Sequence, residues 1–172
     1  MVISYSKEDF SLVQKFIDYL VPLSDDELVE DPWYCSQLEA GSDWNEEIQK
    51  RFNDADIIFF MISENLMKIP YVKEHEIKHA IDRYRKYGKV KIVPIILQPY
   101  HWARKGDYNL AMFTGLPYKL TPVANFRNQN EAWHIISESI RIMINKNLDP
   151  GLPDVLDNEL KRYFERIVDQ TI

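Results

Sequence analysis

The sequence predicts an α/β protein, a doubly wound parallel sheet of five strands with helices on both faces. Two observations carry this. The segments "ADIIFFMIS" (55–63) and "VKIVPIIL" (90–97) are nearly continuous apolar runs. Strands covered on both faces must read that way, whereas a strand with one wet face alternates. Helical patterns also separate the strand-like segments, and parallel strands need such crossovers because a tight hairpin cannot join them.

Taken in chain order, "MVISYS" is the first strand and the pattern over Lys7–Leu20 the first helix. "LVEDPWY" is the second strand, followed by a helix over Trp44–Asn53. The two apolar runs are strands three and four, with a helix over Tyr71–Tyr87 between them. A weaker fifth strand is read in "KLTPVANF", before a last helix over Asn130–Asn145. After "NKNLDPGLPD" the character changes, since two prolines and a glycine end a helix and make a linker. The chain therefore divides into a domain over 1–147 and a linker plus C-terminal segment over 148–172. In that segment Leu156, Leu160, Tyr163, Phe164, Ile167 and Val168 fall on one stripe of an amphipathic helix. So short a helix is marginal alone and is expected to dock on the domain, pair with a copy of itself, or lead into a partner domain.

Composition narrows the function classes. A net charge of −6 argues against a nucleic-acid partner, whose phosphates demand a clustered basic surface. No apolar stretch approaches the ~20 residues of a membrane span, and "MVISYSKEDF" lacks the pattern of a secretion signal. The single cysteine, Cys35, permits no internal disulfide and fits a reducing compartment. A cytoplasmic protein without a membrane partner is expected.

The segment "YVKEHEIKHAI" contains His75-Glu76-Ile77-Lys78-His79, which matches the H-E-x-x-H of a zinc hydrolase helix. Helical phase speaks against that reading. At ~100° per residue Ile77, Ala80, Ile81 and Tyr84 define the buried face, and both histidines fall nearly opposite it, toward water. A catalytic zinc needs both imidazoles in a cleft with a third protein ligand, so no metal site is expected. Glu76 lies in line with Val72 and Ala80, at the border of core and solvent. On this helix alone it reads as a surface carboxylate pairing with Lys73 or His79.

Position in the sheet changes that weighing. In open parallel sheets, ligands bind beyond the carboxyl ends of the strands, where strand order reverses. Glu76 begins the helix after strand three and belongs to that rim. Tyr5, Ser6, Trp33 and Ser63 reach the same rim from the ends of strands one to three. The rim carries no G-x-G-x-x-G turn and no G-x-x-x-x-G-K phosphate loop. Ser63 stands where a phosphoacceptor domain needs Asp.

In this order the segments resemble a Toll/interleukin-1 receptor (TIR) domain of the bacterial kind. "ISYSKED" is similar to the family's first strand and following loop, and "WYCSQLEAGSDWNEEI" to its second strand, BB loop and next helix. "ADIIFFMIS" resembles strand three, "YVKEHEIKHAI" the helix with the family's catalytic Glu, here Glu76, and "KVKIVPIIL" with "NEAWHIISESIRIMI" the fourth strand and last helix. The resemblance implies a flavodoxin-like five-stranded sheet and NAD+ as a substrate, without a cofactor. It implies cleavage of the nicotinamide–ribose bond to ADP-ribose or a cyclic isomer, in bacterial antiviral defence signalling. Glu76 would stabilise the oxocarbenium-like ribose, with Tyr5, Ser6, Trp33, Ser63 and Val72 around the substrate. Val72 stands where many catalytic relatives carry Cys or Trp. The same resemblance allows a non-catalytic scaffold that acts only by TIR–TIR assembly. In either case the loop carrying Leu38, Glu39 and Gly41 is expected to pack on a neighbouring copy, head-to-tail and able to propagate into a filament.

Overall fold

The computed structural model describes residues 1–34, 44–103 and 106–148, together with 162, 165 and 166 of the C-terminal segment. Strands β1 (Val2–Ser4), β2 (Trp33–Tyr34), β3 (Ile57–Ile62) and β4 (Lys91–Ile96) form one sheet in the order β2-β1-β3-β4. All pairings are parallel. The helices are α1 (Phe10–Asp25), α2 (Trp44–Asp54), α3 (Glu64–Lys68), α4 (Ile77–Tyr87) and α5 (Gln129–Leu148).

Side-chain alternation along the strands builds two cores. Ile3, Phe59, Met61 and Val93 point to one face, where α1 and α5 cover them with Phe16, Leu20, Trp133 and Ile136. Val2, Ile58, Phe60 and Ile92 point to the other, under Ile48 and Phe52 of α2 and Ile77, Ala80 and Ile81 of α4. Both sides of β3 are thus covered, and all six of its residues are buried. This accounts for the continuous apolar run.

Three expectations need correction. Among the described residues the sheet has four strands, not five. "KLTPVANF" forms two short 3-10 turns, Tyr118–Leu120 and Val123–Asn125. Pro122 has no N–H for a ladder, and Lys119 and Leu120 adopt positive φ, incompatible with a strand. What remains of a fifth pairing is one parallel bridge, Ile95 with Leu116. The second strand contracts to Trp33–Tyr34, behind Pro32. The third correction concerns the helix over Tyr71–Tyr87. Its first turn, Val72–Glu76, is a π turn, in which the Ile77 N–H bonds the carbonyl of Val72 five residues back. From Ile77 the helix is regular and ends at Gly88, whose φ of 65° permits the left-handed cap.

Of the C-terminal segment, residues 162, 165 and 166 are helical, and the apolar stripe lies outside the described residues. No helix among the described residues is long and apolar enough to cross a membrane.

Candidate active site

The strand order reverses between β1 and β3, because β2 lies on one side of β1 and β3, then β4, on the other. A crevice opens beyond the carboxyl ends of such a pair. Here it is a cavity of about 790 Å³, walled by Tyr5 and Ser6 after β1, Asn65 and Lys68 of α3, and Val72 and Glu76 of the π turn.

Glu76 faces the cavity from the end of that turn, one regular turn before Ala80. The extra residue of the π turn changes the phase of Val72 and the chain ahead of it relative to α4. Val72 becomes a core residue, and Glu76 is 7% exposed. π turns inside helices are frequent at functional sites.

Ser4 meets the carboxylate. Val2 faces the α2/α4 core, so Ser4, two residues on, points to the same side. Its hydroxyl donates to Oε2 of Glu76 at 2.5 Å, a contact buried on both sides. Burial drives the Glu76 carboxyl up to about 7, and the Ser4 hydrogen bond partly opposes it by favouring the charged form. Near neutral pH both protonation states are therefore populated. Among the described residues Glu76 has no further hydrogen-bond or ion partner.

The rest of the rim is braced by a second buried carboxylate. Asp9, in the 3-10 turn before α1, accepts a hydrogen bond from the Ser63 hydroxyl and another from Asn65 Nδ2 at 2.9 Å. Ser63 in turn accepts the Leu66 N–H at 3.0 Å, capping α3. Ser6 donates to Glu8, a hydrogen bond that holds the exposed Glu8 carboxyl below its ordinary value.

Of the residues expected at the site, Tyr5, Ser6, Val72 and Glu76 line one cavity. Trp33 and Ser63 are not among the residues that wall it. Trp33 packs into the α2/α4 core beneath the Arg51 guanidinium, 5.6 Å from the ring centroid, and Ser63 is engaged in the brace. Leu38, Glu39 and Gly41 lie outside the described residues. His75 is exposed and stacks on Tyr71 at 4.7 Å between centroids, while His79 Nε2 lies 2.9 Å from Asn53 Oδ1. Among the described residues no three His, Cys, Asp or Glu side chains group as a metal site. Ser4, Asp9 and α3 were not anticipated. The signals were a lone hydroxyl inside an apolar strand, and a Ser–Glu pair at positions 63 and 64 of the kind that opens helices.

A family model described as TIR domain matches residues 1–134, from β1 into α5. Comparison with curated proteins found no match, and neither did comparison with solved structures. The match spans the sheet, both helical layers and every residue of the cavity wall, and the chain belongs to the TIR domain family.

Proposed function

We propose that this TIR domain cleaves the nicotinamide–ribose bond of NAD+, with Glu76 as the catalytic residue. The observation that carries the reading is a buried carboxylate facing a cavity at the point where strand order reverses. Its chemistry suits the reaction. As the C–N bond breaks, the electron pair passes to the pyridine nitrogen and nicotinamide leaves neutral, so no acid is required. Positive charge develops on the ribose ring, as in glycoside hydrolysis. A fixed carboxylate in a site partly shielded from water stabilises that charge more than one in bulk solvent. Tyr5 offers an aromatic face, and the apolar wall at Val72 suits the departing ring. Water as acceptor yields ADP-ribose and a proton, whereas a nucleophile within the same molecule yields a cyclic isomer. The role we assign is signal production in bacterial antiviral defence, in the cytoplasm, by copies that assemble through their BB loops.

A scaffold that only assembles with other TIR domains is the second reading. Val72 favours it, because that place carries Cys or Trp in many catalytic relatives.

The test is chromatography of all products after incubation with NAD+, across a wide protein dilution series, for the wild type and Glu76→Gln. NAD+ loss should rise more steeply than linearly with protein concentration and fall about 10²-fold or more in the variant. Equal consumption by the two proteins would remove Glu76 from the role. No consumption by the wild type at any concentration would leave the scaffold.

A further inference from the structure

Position 4 lies on a strand face that is otherwise apolar, with Val2 before it and Phe60 in register beside it on β3. An alanine or valine would satisfy burial there. Only a hydroxyl can also hydrogen-bond a carboxylate, and against an ionised carboxylate it acts solely as donor. Resting on the NAD-cleaving reading for its activity readout alone, we propose that Ser4 is a positioning residue. Its hydroxyl pins Oε2 of Glu76 against the end of β1 and leaves the other oxygen for the substrate.

Three features support this. The contact joins residues 72 positions apart, both buried, so it is set by the tertiary fold and not by local chain geometry. It ties the end of the π turn to the end of β1, two of the elements that wall the crevice. And it is the carboxylate's sole polar tether among the described residues. Lys7 and Glu8 after β1, Lys68 of α3 and Tyr71 ahead of the turn wall the same cavity, yet none of them bonds to Glu76. Ile48 of α2 closes the apolar side. On the carboxylate's own helix Glu74, His75, Lys78 and His79 are turned outward, exposed or half-exposed. As the carboxylate's one hydrogen-bond partner among the described residues, the hydroxyl fixes its orientation and offsets part of the burial that opposes its ionisation.

Removing the donor withdraws the one contact that lowers the Glu76 pKa, so the midpoint must rise. A hydrogen bond to a charged group is worth enough to move it by about one pH unit or more. The experiment follows the carboxyl by carbon NMR of protein with labelled glutamate, using Glu76→Gln to assign the resonance. The wild type should titrate near 7. Ser4→Ala should titrate about one unit higher, and Ser4→Cys, whose somewhat larger thiol donates weakly, between the two. In the same proteins the acid limb of kcat/KM for NAD+ should move by the same amount. The Ser4→Ala rate at pH 7 should then be at least roughly fivefold lower; near pH 9 the part due to ionisation is restored, and the deficit that persists there reads the lost orientation. A residue that merely fills space would change thermal stability without moving either midpoint, and coincident midpoints in all three folded proteins overturn the proposal. Should the wild type consume no NAD+, the catalytic reading falls while the titration still decides the role of Ser4.

Discussion

The two ends of the sheet offer a controlled comparison. At the amino ends of the strands a cavity of about 1030 Å³ opens between Glu27, Asp56, Lys89, Lys91 and the end of α5. It is larger than the cavity of about 790 Å³ at the carboxyl ends. Yet five of the six buried polar side chains among the described residues, Ser4, Ser6, Asp9, Ser63 and Glu76, gather at the carboxyl ends. At the amino end, by contrast, Asp54, Asp56, Lys89 and Lys91 are exposed. Exposed charges cost little and organise little. A buried carboxylate costs stability unless it is paired; Asp9 has two donors and Glu76 one, so the carboxyl end is where the fold concentrates its buried polarity. Volume alone points to the amino end, and buried polarity to the carboxyl end.

The comparison breaks if Glu76 carries no penalty. Its folded-state value lies near 7, above the ordinary carboxylate value of 4.5. Between those values the folded state holds a proton that the unfolded state has released, so stability must fall as pH rises through this window. Glu76→Gln removes the dependence. At pH 8.5 it should be more stable than the wild type, by up to on the order of 3 kcal/mol, and at pH 4 nearly equal to it. Denaturant melts at the two pH values measure this. A variant less stable than the wild type at pH 8.5 would mean that the folded site favours the charge.

A smaller effect should come from the brace. Asp9→Ala leaves the buried Ser63 hydroxyl and the Asn65 amide without their acceptor and should cost about 2 kcal/mol. At the other end Asp56→Ala should stay within about 0.5 kcal/mol of the wild type. Equal losses from the two substitutions, by urea unfolding, would erase the distinction between the ends.

The smallest effect sharpens the contrast. Arg141 and Asp26 form an ion pair at 2.6 Å between α5 and the end of α1, with 27% and 54% of the side chains exposed. Because water screens it, Asp26→Asn should cost less than about 1 kcal/mol, shrinking further in 1 M salt. A loss as large as that of Asp9→Ala, unchanged by salt, would show that exposed charge at the amino end organises the fold as buried charge does.

How much of this was legible varies by element. The β3 and β4 runs were plain, because burial on both faces leaves no polar position to confuse the pattern. The rim was legible from topology, which placed Tyr5, Ser6 and Glu76 near one another, together with Trp33 and Ser63 that do not wall the cavity; Val72 came from the family resemblance alone. The fifth strand read in "KLTPVANF" fails because Pro122 and the positive φ of Lys119 and Leu120 govern the backbone there. Helix α3 has five residues, too few for periodicity to register. The π turn was invisible for a deeper reason. Reading at 3.6 residues per turn assumes one phase along the helix, and a phase slip at Val72–Glu76 looks like noise at the border of the apolar face. Ser4 was missed because one hydroxyl in a strand has no period at all.

The widened turn has a genetic meaning as well. An α-helix becomes a π turn by gaining one residue and reverts by losing it, while the regular turns downstream stay intact. The extra residue therefore resets Val72 and the chain ahead of it, while Glu76 keeps its place one turn before Ala80. A lineage could gain or discard this widening in one insertion or deletion, keeping both apolar cores, the sheet order and the carboxylate's own register. Chains that present different side chains beside the same carboxylate could then be near neighbours in descent.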